Sequence, residues 1–397
     1  MKRTIALMLV LALMLCGCGS KKEYTPDEVS NTVSADAAEG EAAPEAGDAA
    51  EAEATEAPTE APTEAPTEPQ VFRNPLNGEI IDEPFTGRVF ANTISNVFEA
   101  LPHVGVTQAD ILMEMYVNNS IHRCLALYTD IESVEAIGST RSTRLMFNDI
   151  AEHYSLVLSH AGGSSFCLGD ANDRGLAHYN IDSLMRQGSE LAQGVAYRDK
   201  QYKSGEHNLF GIGAGIKAYA ESEGVPMTLE KDYGLTFTEN GTPADGQDAA
   251  SITVTLTYGK SKKDTTMEYD AEMGKYVYNQ FGMVMADQIT GETEAFTNVI
   301  IMLAEITDVT YSKAFYHSAD FLAGGTGFFA NGGKLIPITW TCDGDTEPFR
   351  FFTADGEPLD LGVGNTYIAI APKASPVVVD GVEITATEES AEETTTG

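Results

Sequence analysis

Val106 to Tyr128 reads VTQADILMEMYVNNSIHRCLALY, two apolar runs on either side of the turn-forming residues Asn118, Asn119 and Ser120. That pattern predicts a β-hairpin. Each strand carries one out-of-pattern charge, Glu114 in the first and Arg123 in the second, and a charge left unpaired on a buried face is strongly destabilising. The two stand directly opposite if the pairing closes at Val117 with Ser120, and one or two residues askew in neighbouring registers. They read either as a structural salt bridge or as part of a site.

Downstream, Ile137 to Arg144 is IGSTRSTR, followed by LMFNDIAEHYSLVL with apolar residues at Leu145, Met146, Ile150 and Tyr154. The three-to-four spacing predicts an amphipathic helix. Ser139 to Arg144 then lies at the helix start, where free N–H groups, hydroxyls, Arg141 and Arg144 make an anion-binding surface. Next comes Ser155 to Ser165, SLVLSHAGGSS, read as a short strand that delivers an exposed His160 into a Gly-Gly turn beside Ser164. Gly169 to Asn180 reads as a polar loop. Tyr197 to Phe210, YRDKQYKSGEHNLF, supplies Arg198, His207 and Asn208. The glycines at 211, 213 and 215 do not have dinucleotide-fingerprint spacing, and no clear strand precedes them, so they ease entry into a helix at about 216–222.

Beyond Gly224 the chain turns to short β-prone runs separated by Gly- and Asp-rich turns. Asn298 to Val309, NVIIMLAEITDV, reads as one long central strand, and Trp340 as packing. The fold class expected is α+β: a mixed, site-bearing domain over 71–224 and a mostly β domain over 225–379.

At the N-terminus, Lys2 and Arg3 precede an apolar run from Ile5 to Leu15. This is too short for a bilayer span, which needs roughly 20 residues, and reads as an export signal. It ends in Leu15-Cys16-Gly17-Cys18, a lipobox in which the small Gly17 marks Cys18 as the lipidation site. Two or three acyl chains there anchor the chain stably to a membrane. Residues 19–70 are rich in Ala, Glu, Pro and Thr, with a threefold APTE run, and read as a disordered tether. The tail 380–397 has similar character.

The 60 acidic against 24 basic residues leave a net charge of −36, which argues against nucleic acid and anionic lipid headgroups as partners. Cys124, Cys167 and Cys342 show neither a disulfide framework nor metal-knuckle spacing. No metal or cofactor is expected.

The order of ADILMEMY, IHRCLALY, IGSTRSTR, LSHAGGS, YRD, EHNLF and GGKLIPITW from about Gly87 to Pro372 resembles the YerB-type family of bacterial lipoproteins of unknown function. The resemblance implies a two-domain extracytoplasmic lipoprotein. The matching polar positions are Asn96, Asp110, Glu114, Arg123, Arg141, Arg144, His160, Ser164, Arg198, Asp199, His207 and Asn208. One upstream motif departs: where the family resembles Asp or Glu-Asn followed by Arg-Pro-Gln-Ser-Gly-Leu, this chain has Ser95-Asn96 and then Leu101 to Val106, without the arginine or the glutamine.

Three functions compete. The favoured one is a non-catalytic binding module in which Glu114, Arg123, Arg141, Arg144, His160, Ser164, Arg198, His207 and Asn208 hold an anionic or carboxylate-bearing ligand such as a cell-wall fragment. The second is an envelope hydrolase or transferase with His160 or His207 as general base, although GxSxG is absent and no acid is obviously paired with either histidine. The third is an envelope scaffold that binds a protein partner, the polar cluster serving only to fix the fold.

Overall fold

The computed structural model describes residues 71–118, 121–200, 205–258, 261–312 and 314–386. The export signal, Cys18 and the tether lie outside the described residues, as does the end of the tail. The fold is α+β, with five α-helices among the described residues. These are α1 (Leu145–His153), α2 (Ser165–Asp173), α3 (Ile181–Leu184), α4 (Glu190–Gln193) and α5 (Gly213–Ser222).

An eleven-stranded sheet organises the fold. Its centre is the hairpin of Ile111–Asn118 with Ile121–Tyr128. On one side follow Phe90–Ser95, Val157–His160 and Ala177–Asn180; on the other, Thr366–Pro372, Asn298–Ala304, Gly325–Asn331 and Lys334–Thr341. Thr366–Pro372 runs parallel to both Ile111–Asn118 and Asn298–Ala304, so the two sequence halves contribute to one continuous sheet. Both faces are covered. One packs on α1 through Met146, Phe147 and Ile150. The other packs on residues such as Val254, Met267 and Tyr278 of a second, seven-stranded sheet. Double coverage explains why Phe90–Ser95 and Asn298–Ala304 are buried throughout rather than alternately.

Several segments differ from the sequence reading. The long strand expected over 298–309 ends at Ala304; Ile306–Tyr311 leaves the sheet and, among the described residues, pairs only with Ala314–Ala319. Seven buried residues stop where an exposed Glu305 cannot continue the core. The expected loop 169–180 is most of α2 plus the strand Ala177–Asn180. Its polar sequence hides a helix because only Cys167 and Ala171, four apart, are buried. In the tail, Val382–Ile384 pairs with Val377–Val379, so ordered chain extends past Asp380.

A short strand, Leu209–Gly211, does precede the glycines, but their role is close packing. A Cβ on Gly213 would lie 1.8 Å from the Ile131 carbonyl oxygen, and one on Gly215 would lie 2.0 Å from that of Gly194. Gly213→Ala should therefore destabilise by about 1–3 kcal/mol, measured by urea denaturation. An unchanged midpoint would contradict this close approach.

Candidate functional site: an arginine cluster at two helix N-termini

The strand Val157–His160 lies between Phe90–Ser95 and Ala177–Asn180, parallel to both. Beyond His160 the chain turns at Gly162, where φ is +74° and a Cβ would meet only open space. The 141–144 loop is laced along this turn. Ala161 N–H donates to the Arg141 carbonyl at 2.8 Å, Thr143 N–H to the Gly162 carbonyl at 3.0 Å, and Ser142 Oγ to the Ala161 carbonyl at 3.0 Å. Both nine-residue helices start here: α1 follows Arg144, and α2 follows Ser164, whose Oγ caps it by accepting from Cys167 N–H at 3.1 Å. Their positive ends favour negative charge.

Into this corner the sheet directs Arg123. It is 2% exposed, and its Nη1 donates to the Ser142 carbonyl at 2.6 Å. Its Nε is buried without a hydrogen-bond partner, and among the described residues Arg123 makes no ion pair. Burial pushes its guanidinium well below the usual arginine range, and the positive charges of Arg144 and Arg141 push it further. Burial likewise lowers Arg144, whose Nη1 donates to the Thr143 carbonyl at 2.7 Å. Arg141 is held by Glu206, through the backbone carbonyl at 2.8 Å and Oε2 at 2.7 Å.

Glu206 is brought there by a second set of sequence-predicted residues. Arg198 donates Nη1 to Asn208 Oδ1 and Nη2 to Asp182 Oδ1, both at 2.6 Å, and Asp199 N–H bonds the Asn208 carbonyl at 2.9 Å. Arg198 and Asn208 thus pin the chain that carries Glu206 and His207; His207 Nε2 lies 3.6 Å from Glu206 Oε1.

His160 is not exposed as expected but fully buried. Its Nδ1 lies 2.9 Å from the Gly162 carbonyl and its Nε2 3.0 Å from His178 Nδ1. A carbonyl can only accept, so Nδ1 carries the proton, and Nε2 of the neutral ring accepts from His178. Burial and the neighbouring His178 lower His160 to about 3, which keeps it neutral. Both ring nitrogens are committed to holding the turn.

Glu114 stands apart from the arginines. The register pairs Glu114 with Cys124 and Met115 with Arg123. Glu114 and Arg123 therefore point to opposite faces, and the salt bridge considered between them does not form. The fully buried Glu114 is met by Lys263 and by Asn96 Nδ2 at 2.8 Å on Oε1. Its Oε2 accepts from Thr265 Oγ1 at 2.9 Å and from the hydroxyls of Tyr278 at 2.9 Å and Tyr367 at 2.7 Å. Burial alone would raise its carboxyl; the charge and hydrogen bond of Lys263 outweigh this and bring it down to about 2. Lys263 sits in the run SKKDTTMEYD, which looks like a solvated surface, and nothing in that run signals its burial. The sequence reading missed His178 as well, for want of any spacing that ties it to His160.

Among the described residues, no group of three His, Cys, Asp or Glu side chains is placed to hold a metal ion. Cys124, Cys167 and Cys342 are free and buried. Clefts of about 510 Å3 lie elsewhere, one lined by Thr326, Lys373 and Glu383, another by Lys262, Glu268 and Phe281; neither contains a residue of the arginine cluster.

Fold and site together define an α+β protein with a basic corner at the carboxyl end of a parallel strand. Residues 76–226 match the family model described as the N-terminal domain of a protein of unknown function, DUF3048, and residues 254–368 match the C-terminal domain of the same family. The chain belongs to that two-domain family. It is 26% identical over 302 residues to a Bacillus subtilis (strain 168) protein named "Putative lipoprotein YerB", covering 75% of this chain and 86% of the relative. The crystal structure of YerB protein from Bacillus subtilis superposes with a TM-score of 0.66 at 22% identity, covering 77% of this chain and 99% of that one.

Proposed function

We propose that this protein is a lipoprotein anchored through Cys18 to the outer face of the cell membrane, and that it binds an anionic or carboxylate-bearing ligand without transforming it. The observation that carries the binding reading is Arg123, a buried guanidinium with no ion pair among the described residues, set against Arg141 and Arg144 at two helix N-termini. Such a charge is expensive to bury unless an anion compensates it. The chain is otherwise strongly acidic, so the positive corner is a local feature, suited to catching an anion that the rest of the surface repels. Ser164 and His160 shape the corner rather than facing a ligand, and Arg198 and Asn208 hold its Glu206 side. A hydrolase reading has less to rest on, because His160 is locked by two hydrogen bonds. A cell-wall fragment is one ligand of suitable chemistry.

Isothermal titration of the full chain with inorganic phosphate and with glucuronate tests the site. Arg144→Ala should lower affinity by about 10- to 100-fold, the range expected for losing one charge-assisted partner. Glu206→Ala, which removes the carboxylate resting on Arg141, should raise it. Binding of neither anion would refute the reading. The anchor rests on the signal, the lipobox and the name of the relative. Labelling cells with radioactive palmitate should mark the wild type but not Cys18→Ser, which should leave the membrane fraction; label retained by the variant would refute the assignment.

A further inference from the structure

The arginine corner does not end at the 141–144 loop. Phe166, in the first turn of α2, packs against the hairpin Ile306–Tyr311 with Ala314–Ala319. The register places Tyr316 opposite Val309 and Tyr311 opposite Ala314, so Tyr311 and Tyr316 share one face of this two-stranded ribbon. Both meet Phe166: Tyr311 stacks on it with ring centroids 4.5 Å apart and planes 7° from parallel, and Tyr316 contacts it at 5.3 Å. Tyr316 in turn lies near Arg144. From the arginines to the aromatic rings runs Gly162-Gly163-Ser164-Ser165, in which Gly162 borders open space while Gly163 packs closely on Leu168 and Thr143. Tyr311 remains 46% exposed, one ring face backed by Phe166 and the rest turned to solvent.

We propose that the outer face of Tyr311, backed by Phe166, is a platform for a pyranose ring, and that the ligand of the arginine corner is an acidic saccharide whose phosphate or carboxylate the arginines hold. This rests on the anion-binding reading above and names its ligand class. An aromatic face carries partial negative charge, and the axial C–H bonds of a pyranose present partial positive charge and an apolar surface to it. Arginines fix planar or tetrahedral oxyanions through directed N–H bonds. A charged group next to a sugar ring satisfies both ends of this surface. Among the described residues the ribbon pairs with no other strand; one of its faces packs on the sheet, where His317 meets Tyr116 with ring centroids 5.0 Å apart, and the face bearing Tyr311 and Tyr316 meets Phe166.

The test titrates the full chain with glucuronic acid, N-acetylmuramic acid, glucose 6-phosphate, adenosine monophosphate and inorganic phosphate, each against wild type, Tyr311→Ala, Tyr311→Phe and Arg144→Ala. The expected result is that Tyr311→Ala weakens at least one acidic saccharide about tenfold and leaves inorganic phosphate unchanged. Tyr311→Phe should restore the loss, and Arg144→Ala should weaken both. The carboxylate and phosphate sugars separate the two anionic groups. If phosphate binds but Tyr311→Ala weakens no saccharide selectively, the platform is overturned while the anion site stands. If adenosine monophosphate outbinds every sugar and is the ligand lost in Tyr311→Ala, the saccharide class is overturned in favour of a nucleotide. If no anion binds, both readings fall together.

Discussion

Glu114→Ala lowers the unfolding free energy by about 3–5 kcal/mol, the range for breaking a buried ion pair by removing one partner. The loss is this large because Lys263 is only 5% exposed and is left without its carboxylate, while the hydroxyls of Tyr278, Tyr367 and Thr265 lose their acceptor. Lys263→Met in the same chain should recover part of it, since the stranded ammonium is then gone. Chemical denaturation of the single and double variants measures both, and a single-variant loss below ~1 kcal/mol, the value of an exposed pair, would show that the network does not hold the two halves together. The same network sets an acid limit. The folded carboxyl, at about 2, lies below its ordinary 4.5, so its contribution is full above the ordinary value and is lost as pH falls from there through about 2. Stability of the wild type should therefore drop across that window, and the drop should be smaller in Glu114→Gln.

Arg123→Met should behave in the opposite sense. It removes a buried positive charge that has no ion pair among the described residues and replaces it with an apolar chain of similar length. Stability should hold within about 1 kcal/mol or rise. Affinity for inorganic phosphate should fall by tenfold or more, because the corner loses one of three mutually repelling guanidinium groups whose positive charge attracts the anion. Thermal unfolding and titration on the same preparation read the two effects. A variant that loses several kcal/mol yet binds phosphate as before would assign Arg123 to the scaffold. The contrast between Glu114 and Arg123, two buried charges on neighbouring strands, follows from their partners: one is met by five donors, the other by a single carbonyl.

Much of this arrangement was legible in the chain. The apolar runs around Asn118 to Ser120 gave the hairpin, and the spacing of Leu145, Met146 and Ile150 gave α1. Two arginines within four residues in an acidic chain pointed to the basic corner. The segments that were misread or passed over share a cause: their local sequence is polar or ambiguous while their surroundings are not. The strand Ser261–Asp270 shows no apolar run, yet it pairs on both sides within the second sheet, and α2 buries only a narrow stripe. His160 was expected to be exposed because a strand end before Gly-Gly usually is; His178, from the neighbouring strand Ala177–Asn180, covers it.

The sequence by itself determined the α+β class, the hairpin at its centre, the basic character of the 141–144 loop and the lipobox-like start, because each depends on the spacing of residues near one another in the chain. Only the tertiary structure decided that Glu114 and Arg123 face opposite sides of the sheet, that Lys263 answers the first, and that Phe166 gathers Tyr311 and Tyr316 around it. A one-residue change of register exchanges the faces of a strand, and contacts across more than a hundred residues leave no periodic trace in the chain. The two charges that looked like a pair in the sequence are thereby divided between the lock of the fold and its proposed binding corner.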